Sequence, residues 1–86
     1  MLKLTGFDDC LVGRIEQFGR EPVAAYCVDR IIDKMVTEWG LTEDEAWEYH
    51  EYNQLGAYMG EGTPVYLHSC DIDQLDEYAD AYSSIT

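Results

Sequence analysis

LTEDEAWEYHEYNQLGAYMGEGTPVYL, residues 41–67, decides how this chain folds: a capped helix, a glycine-rich turn and a short apolar strand follow one another without a linker. Thr42 and Glu45 make a T-x-x-E capping box, in which each side chain satisfies a backbone N–H at the helix start. Glu43, Asp44 and Glu45 sit where the positive end of the helix dipole favours carboxylates. Ala46, His50, Asn53 and Ala57 recur at i, i+4, i+7 and i+11, so a helix over 43–58 turns one small, partly polar face to its neighbours. Gly56, beside that face, suits the same close approach. Gly60 and Gly62 stop the helix, and Thr63-Pro64 holds the chain extended ahead of Val65-Tyr66-Leu67.

Upstream, the spacing of Val28, Ile31, Ile32, Met35, Val36 and Trp39 predicts a helix over 29–39 with one apolar stripe. Gly40 suits a left-handed helix end, and Leu41 folds back on it, so the two helices meet in a tight αα corner. Residues 10–15 (CLVGRI) and 23–27 (VAAYC) read as strands, with Gly13 marking a bulge or a close approach. Residues 16–22, containing Gly19 and Pro22, form the turn of an antiparallel hairpin. Downstream, residues 71–82 (DIDQLDEYADAY) predict a short acidic helix capped by Ser69. Ile72, Leu75, Tyr78, Ala79 and Tyr82 form its apolar side. The expected fold is therefore a small single α+β domain: a hairpin, two consecutive helices, a third strand in the same sheet, and a short acidic C-terminal helix. Residues 1–68 form the body, and residues 69–86 an acidic tail packed on it.

Charge is the strongest functional clue. The 86 residues carry 18 acidic and 5 basic side chains, net −13. All five bases (Lys3, Arg14, Arg20, Arg30, Lys34) lie in the first 34 residues, where six acids leave a net of −1; residues 35–86 carry twelve acids and no Lys or Arg, net −12. Direct binding to nucleic acid or anionic lipid is excluded on this balance, because affinity there comes from neutralising phosphates. A basic partner is the natural complement. The odd count of three cysteines argues against a disulfide framework; Cys10, Cys27 and Cys70 read as reduced, partly buried small hydrophobes of a cytoplasmic protein. The first residues lack the apolar core of a secretion signal, and no apolar run is long enough to span a membrane.

No catalytic or cofactor motif stands out. His68 and Cys70 lack the paired spacing of a zinc site. Asp71, Asp73, Asp76 and Glu77 resemble part of a calcium loop, but Leu75 and Asp76 stand where it needs an Asp/Asn and a glycine. No Ser or Cys is set against a base, and His50 reads as a core or cap histidine. The chain is read as a non-enzyme without metal or cofactor.

The carboxylates carry the sharper reading. An ordinary solvated surface mixes both signs of charge. Here Glu45, Glu48 and Glu51 on the helix, with Asp73, Asp76, Glu77 and Asp80 on the tail, form a one-signed surface able to imitate a phosphate backbone. Trp47 and Tyr52 supply aromatic anchors for a protein partner.

One segment also carries a likeness. YNQLGAYMGEGTPV, residues 52–65, preceded by Thr42-x-x-Glu45-Ala46, resembles a pattern in small proteins of tailed bacteriophages, and the likeness extends weakly to Phe7-Asp8-Asp9 and Gly13. That family has no assigned activity and brings no catalytic residues. The resemblance implies a phage or prophage origin and action in the host bacterial cytoplasm.

Three functions follow as expectations. The first is a non-enzymatic anti-defence inhibitor that binds the basic nucleic-acid-binding surface of a host protein, with nucleic-acid mimicry as one way of doing so. The second is a small-molecule or nucleotide-sequestering protein, with a pocket at His50, Asn53, Glu61 and Thr63. The third is a self-assembling homo-oligomer that buries Trp39 or Trp47 between protomers.

Overall fold

In a computed structural model describing residues 1–71, 73 and 74, the apolar run VAAYC becomes the inner half of a central strand. Strands β1 (Leu11–Gln17) and β2 (Arg20–Cys27) form the antiparallel hairpin, and β3 (Val65–Leu67) adds to the far side of β2. Between β2 and β3 run α1 (Val28–Trp39), α2 (Glu43–Tyr49) and a π-helical turn, His50–Leu55. This is the expected α+β arrangement. Because β2 and β3 pair in parallel, with Ala25 opposite Val65 and Cys27 opposite Leu67, the chain must cross over between them, and both helices belong to that crossover.

The hairpin is tighter than the sequence implies. Gln17 pairs with Arg20, which leaves Phe18-Gly19 as the whole turn in place of residues 16–22. Pro22 lies inside β2. Between the pairs Ile15–Val23 and Gln17–Arg20, Glu21 and Pro22 together face Glu16, so the proline, which cannot donate to a ladder, sits in a bulge. A second irregularity falls at Val12, between the pairs Leu11–Tyr26 and Gly13–Ala25, as Gly13 suggested. Cys10 does not begin the strand; it ends a 3-10 turn, Asp8–Cys10, and its N–H donates to the Phe7 carbonyl at 2.9 Å.

One face of the sheet is covered. Val28, Ile31, Ile32 and Met35 of α1 are buried with Phe7, Cys10, Ala24, Tyr26 and Ala46. The apolar stripe is narrower than its periodicity suggests, because Val36 and Trp39 stay exposed. The Trp39 ring instead packs on Phe7 and Tyr49, with centroids 5.7 and 5.2 Å away. Gly40 ends α1 with φ +71°, in the left-handed region that a side chain disfavours, and the Leu41 N–H returns to the Met35 carbonyl at 3.2 Å. The αα corner follows directly.

At the start of the tail, where Asp73 and Gln74 are helical, the capping bonds differ from those expected. Asp71 and Gln74 exchange hydrogen bonds reciprocally: the Asp71 N–H donates to Gln74 Oε1 at 3.0 Å, and the Gln74 N–H to Asp71 Oδ1 at 2.9 Å. Asp71 thus takes the capping place assigned to Ser69. The remainder of the helix expected over 71–82, with Asp76, Glu77 and Asp80, lies outside the described residues. Among the described residues, no helix is long and apolar enough to cross a membrane.

Met35 has no exposed surface, whereas its neighbour Val36 faces solvent. Met35→Ala is therefore expected to cost about 2–5 kcal/mol by urea denaturation, against roughly 0.5 kcal/mol for Val36→Ala.

Candidate functional site

The acidic face is built from the start of α2. The Thr42 hydroxyl accepts from the Glu45 N–H at 3.2 Å, and Glu45 Oε1 accepts from the Thr42 N–H at 2.9 Å. The capping box is complete. Those bonds to Thr42, backbone first, hold the Glu45 carboxyl below its ordinary range. Glu45 is therefore anchored to the helix start, and it is exposed together with Glu43, Asp44, Glu48 and Glu51. Glu38, on α1, differs from them: Lys34 sits 2.9 Å from it and 3.0 Å from Asp9, so its charge is paired within the chain. Glu45 and Glu48 edge a shallow recess of about 360 Å³ with Leu41, Tyr49, Tyr52 and Asn53. Tyr52 is 79% exposed above it.

After Tyr49 the helix widens. The Gly56 N–H reaches the Glu51 carbonyl at 3.0 Å, five residues back. A side chain on Gly56 would meet the carbonyl oxygens of Glu51 and Tyr52 at 3.2 Å. The glycine thus permits a close approach of the chain to its own previous turn, where a neighbouring element was expected. The regular helix expected over 43–58 ends nine residues early, and its inner face is re-phased. Ala46, His50 and Gln54 are buried, while Asn53 and Ala57 are exposed. Asn53 makes no side-chain hydrogen bond among the described residues; the buried amide is Gln54.

His50 becomes a core residue. Its Nδ1 lies 2.8 Å from Gln54 Oε1, an oxygen that can only accept, so Nδ1 is the donor. Among the described residues, its Nε2 is buried without a hydrogen-bond partner. The ring meets Tyr66 edge-on at 4.9 Å and Trp47 at 6.1 Å, and Trp47 stacks on His68 with the planes 10° apart. Trp47 is accordingly half-buried and packed against the core, with its ring held between two histidines, whereas Tyr52 projects. The sequence offered a sign of the Gln54 contact, since His50 and Gln54 stand at i, i+4. It offered none of the stacking on His68, which depends on β3.

The four residues grouped as an alternative ligand site are separated. Glu61 and Thr63 line a cleft of about 790 Å³ with Arg20, Tyr58, Tyr66 and His68. Thr63 Oγ1 is committed to the turn, donating to the Gly60 carbonyl at 2.7 Å and accepting from the Met59 N–H at 2.8 Å. His50 is buried outside that cleft, and Asn53 belongs to the α2 recess, which shares no residue with it. Asp73 is exposed beyond β3. Among the described residues, no three His, Cys, Asp or Glu side chains converge closely enough to hold a metal ion.

Compared with protein-family models, with curated proteins and with solved structures, the chain matches none of them.

All three cysteines are free: Cys10 and Cys27 are buried as expected, but Cys70 is exposed. Burial, and then the Asp9 carboxylate beside it, push the Cys10 thiol up to about 11. A thiol-specific reagent applied between neutral pH and about pH 10 should modify Cys70 quickly and Cys10 and Cys27 only after denaturation. Rapid modification of Cys10 in the folded protein would contradict its place in the core.

Proposed function

We propose that this chain is a non-enzymatic anti-defence inhibitor, acting in a bacterial cytoplasm on a host protein that handles nucleic acid. The α2 face docks on that protein's basic surface and keeps nucleic acid out, with the carboxylates standing in for phosphates. The observation that carries the reading is the exposed set Glu43, Asp44, Glu48 and Glu51 beside Tyr52, in a stretch of 52 residues without Lys or Arg. Tyr52 supplies apolar contact area, and the carboxylates supply the field that steers a cationic partner. Glu45 adds charge while holding the helix start. Asp73 is exposed and joins the same field; Asp76, Glu77 and Asp80 enter the proposal through the sequence alone. The likeness of residues 52–65 to small tailed-phage proteins supplies the anti-defence context.

The test is a pull-down from bacterial lysate with the tagged full chain at low and high salt. One stoichiometric, basic, nucleic-acid-handling partner, lost at high salt and displaced by DNA, is the expected result. Glu48→Lys and Glu51→Lys should each weaken that complex several-fold and flatten its salt dependence. Retention of full binding by the doubly reversed chain would end the electrostatic reading.

The cleft at Glu61 and Thr63 favours one other reading, a small-ligand-sequestering protein. A ligand seated there raises the melting temperature in proportion to the logarithm of its concentration. Arg20→Ala should abolish that rise, because Arg20 is the cleft's cation; a nucleotide and metabolite panel producing no rise at all would dispose of this alternative.

A further inference from the structure

We propose that β1 is a self-association edge, on which a second copy of this chain pairs antiparallel across a two-fold axis centred on Ile15. Three observations lead there. First, β1 is the outer strand of the sheet, and all seven of its residues are exposed. Among the described residues nothing pairs with its outer side, so a row of backbone donors and acceptors is open to another strand.

Second, the sheet has an apolar face on which Ile15, Val65 and Leu67 of the flanking strands stay exposed on either side of a buried Ala25. Directly paired residues point to the same side, so Ile15 and Val23 share one face with Ala25, Val65 and Leu67, opposite to the buried Ala24 and Tyr26. Ile15 is 45% exposed at the margin of that row. Pairing about Ile15 sets the two Ile15 side chains together and extends the row without a break from one Val23 to the other. The result is a six-stranded sheet in place of two three-stranded ones.

Third, charge selects both the surface and the register. The hairpin, residues 11–27, holds Arg14 and Arg20 against Glu16 and Glu21 and is neutral within a chain of net −13. Two copies can meet there with the least mutual repulsion. In the register centred on Ile15, Arg14 of each copy stands opposite Glu16 of the other, giving two cross-strand ion pairs. Sliding the strands by two residues sets Arg14 against Arg14 in one direction and Glu16 against Glu16 in the other. Sliding by one would send the Ile15 row to the opposite face. A single register is thus favoured, and the contact is isologous, as a closed dimer requires. The surface lies on the hairpin and does not draw on the α2 face, so it stands or falls independently of the inhibitor reading.

The experiment measures the association of the full chain by analytical ultracentrifugation up to millimolar concentration. The expected result is a monomer–dimer equilibrium with a dissociation constant on the order of micromolar, in keeping with a small interface. Arg14→Glu and Glu16→Arg each place like charges opposite one another twice, and each should weaken association by roughly tenfold or more. Both side chains are exposed, and an unchanged circular dichroism spectrum and melting temperature confirm folding. The decisive arm mixes the two single variants. In the mixed dimer the introduced carboxylate of one chain faces the introduced guanidinium of the other, and the remaining Glu16 faces the remaining Arg14. Both contacts are then attractive, and the mixture should dimerise as the unaltered chain does; the doubly exchanged chain should also recover. A chain monomeric throughout, a dimer indifferent to both reversals, or a mixture no better associated than its components would each overturn the proposal.

Discussion

Tyr26 is the point at which four segments of this small protein are held together. It is 1% exposed, pairs with Leu11 on one side and Tyr66 on the other, and lies in the same buried cluster as Ile31 and Met35. Its hydroxyl would be costly to bury alone, and it accepts the Leu4 N–H at 2.9 Å. One side chain thereby ties the N-terminal lead-in to both neighbouring strands and to α1. Tyr66, next to it, feels the same environment, since burial and then the Tyr26 phenol push its own hydroxyl above the ordinary range. With so few buried residues, a domain of this size has little reserve elsewhere.

The π-helical turn has the next largest consequence. By carrying Gln54 inward and Asn53 outward, it completes the His50 cluster under Tyr66 and leaves Tyr49, Tyr52 and Asn53 on the carboxylate face. A regular helix through Leu55 would keep Asn53 on the inner face. The acidic face and the Glu61–Thr63 cleft are consequently distinct surfaces, each with its own lining. Charge follows the same division: most cations belong to the hairpin and α1, and the region beyond Lys34 has none.

Much of this was legible from local chemistry. The Thr42–Glu45 box, Gly40 at the helix end and the short apolar runs at 23–27 and 65–67 are governed by neighbours along the chain, and each appears where its residues put it. What escaped depends on distant contacts or on a single step of phase. Pro22 looked like part of the hairpin turn because a bulge exists only once a partner strand is present. Asn53 and Gln54 differ by one position, and their choice rests on the His50–Gln54 bond and on Gly56 clearing two carbonyls. Of the candidate site residues, the exposed carboxylates followed from composition, while the pocket grouping His50 with Thr63 did not survive, because helical spacing says nothing about which side of the sheet β3 will occupy.

The parallel pairing of β3 also sets an order of folding. The hairpin closes through a two-residue turn and can form early, from contacts close in sequence. β3 brings only three residues to the sheet, and its partners on β2 lie on the far side of both helices. The entropy of closing that long loop must be met before any of its contacts exist. Docking of β3, and with it the seating of Tyr66 over His50, is therefore expected late in folding, after the αα corner has shortened the path between the strands.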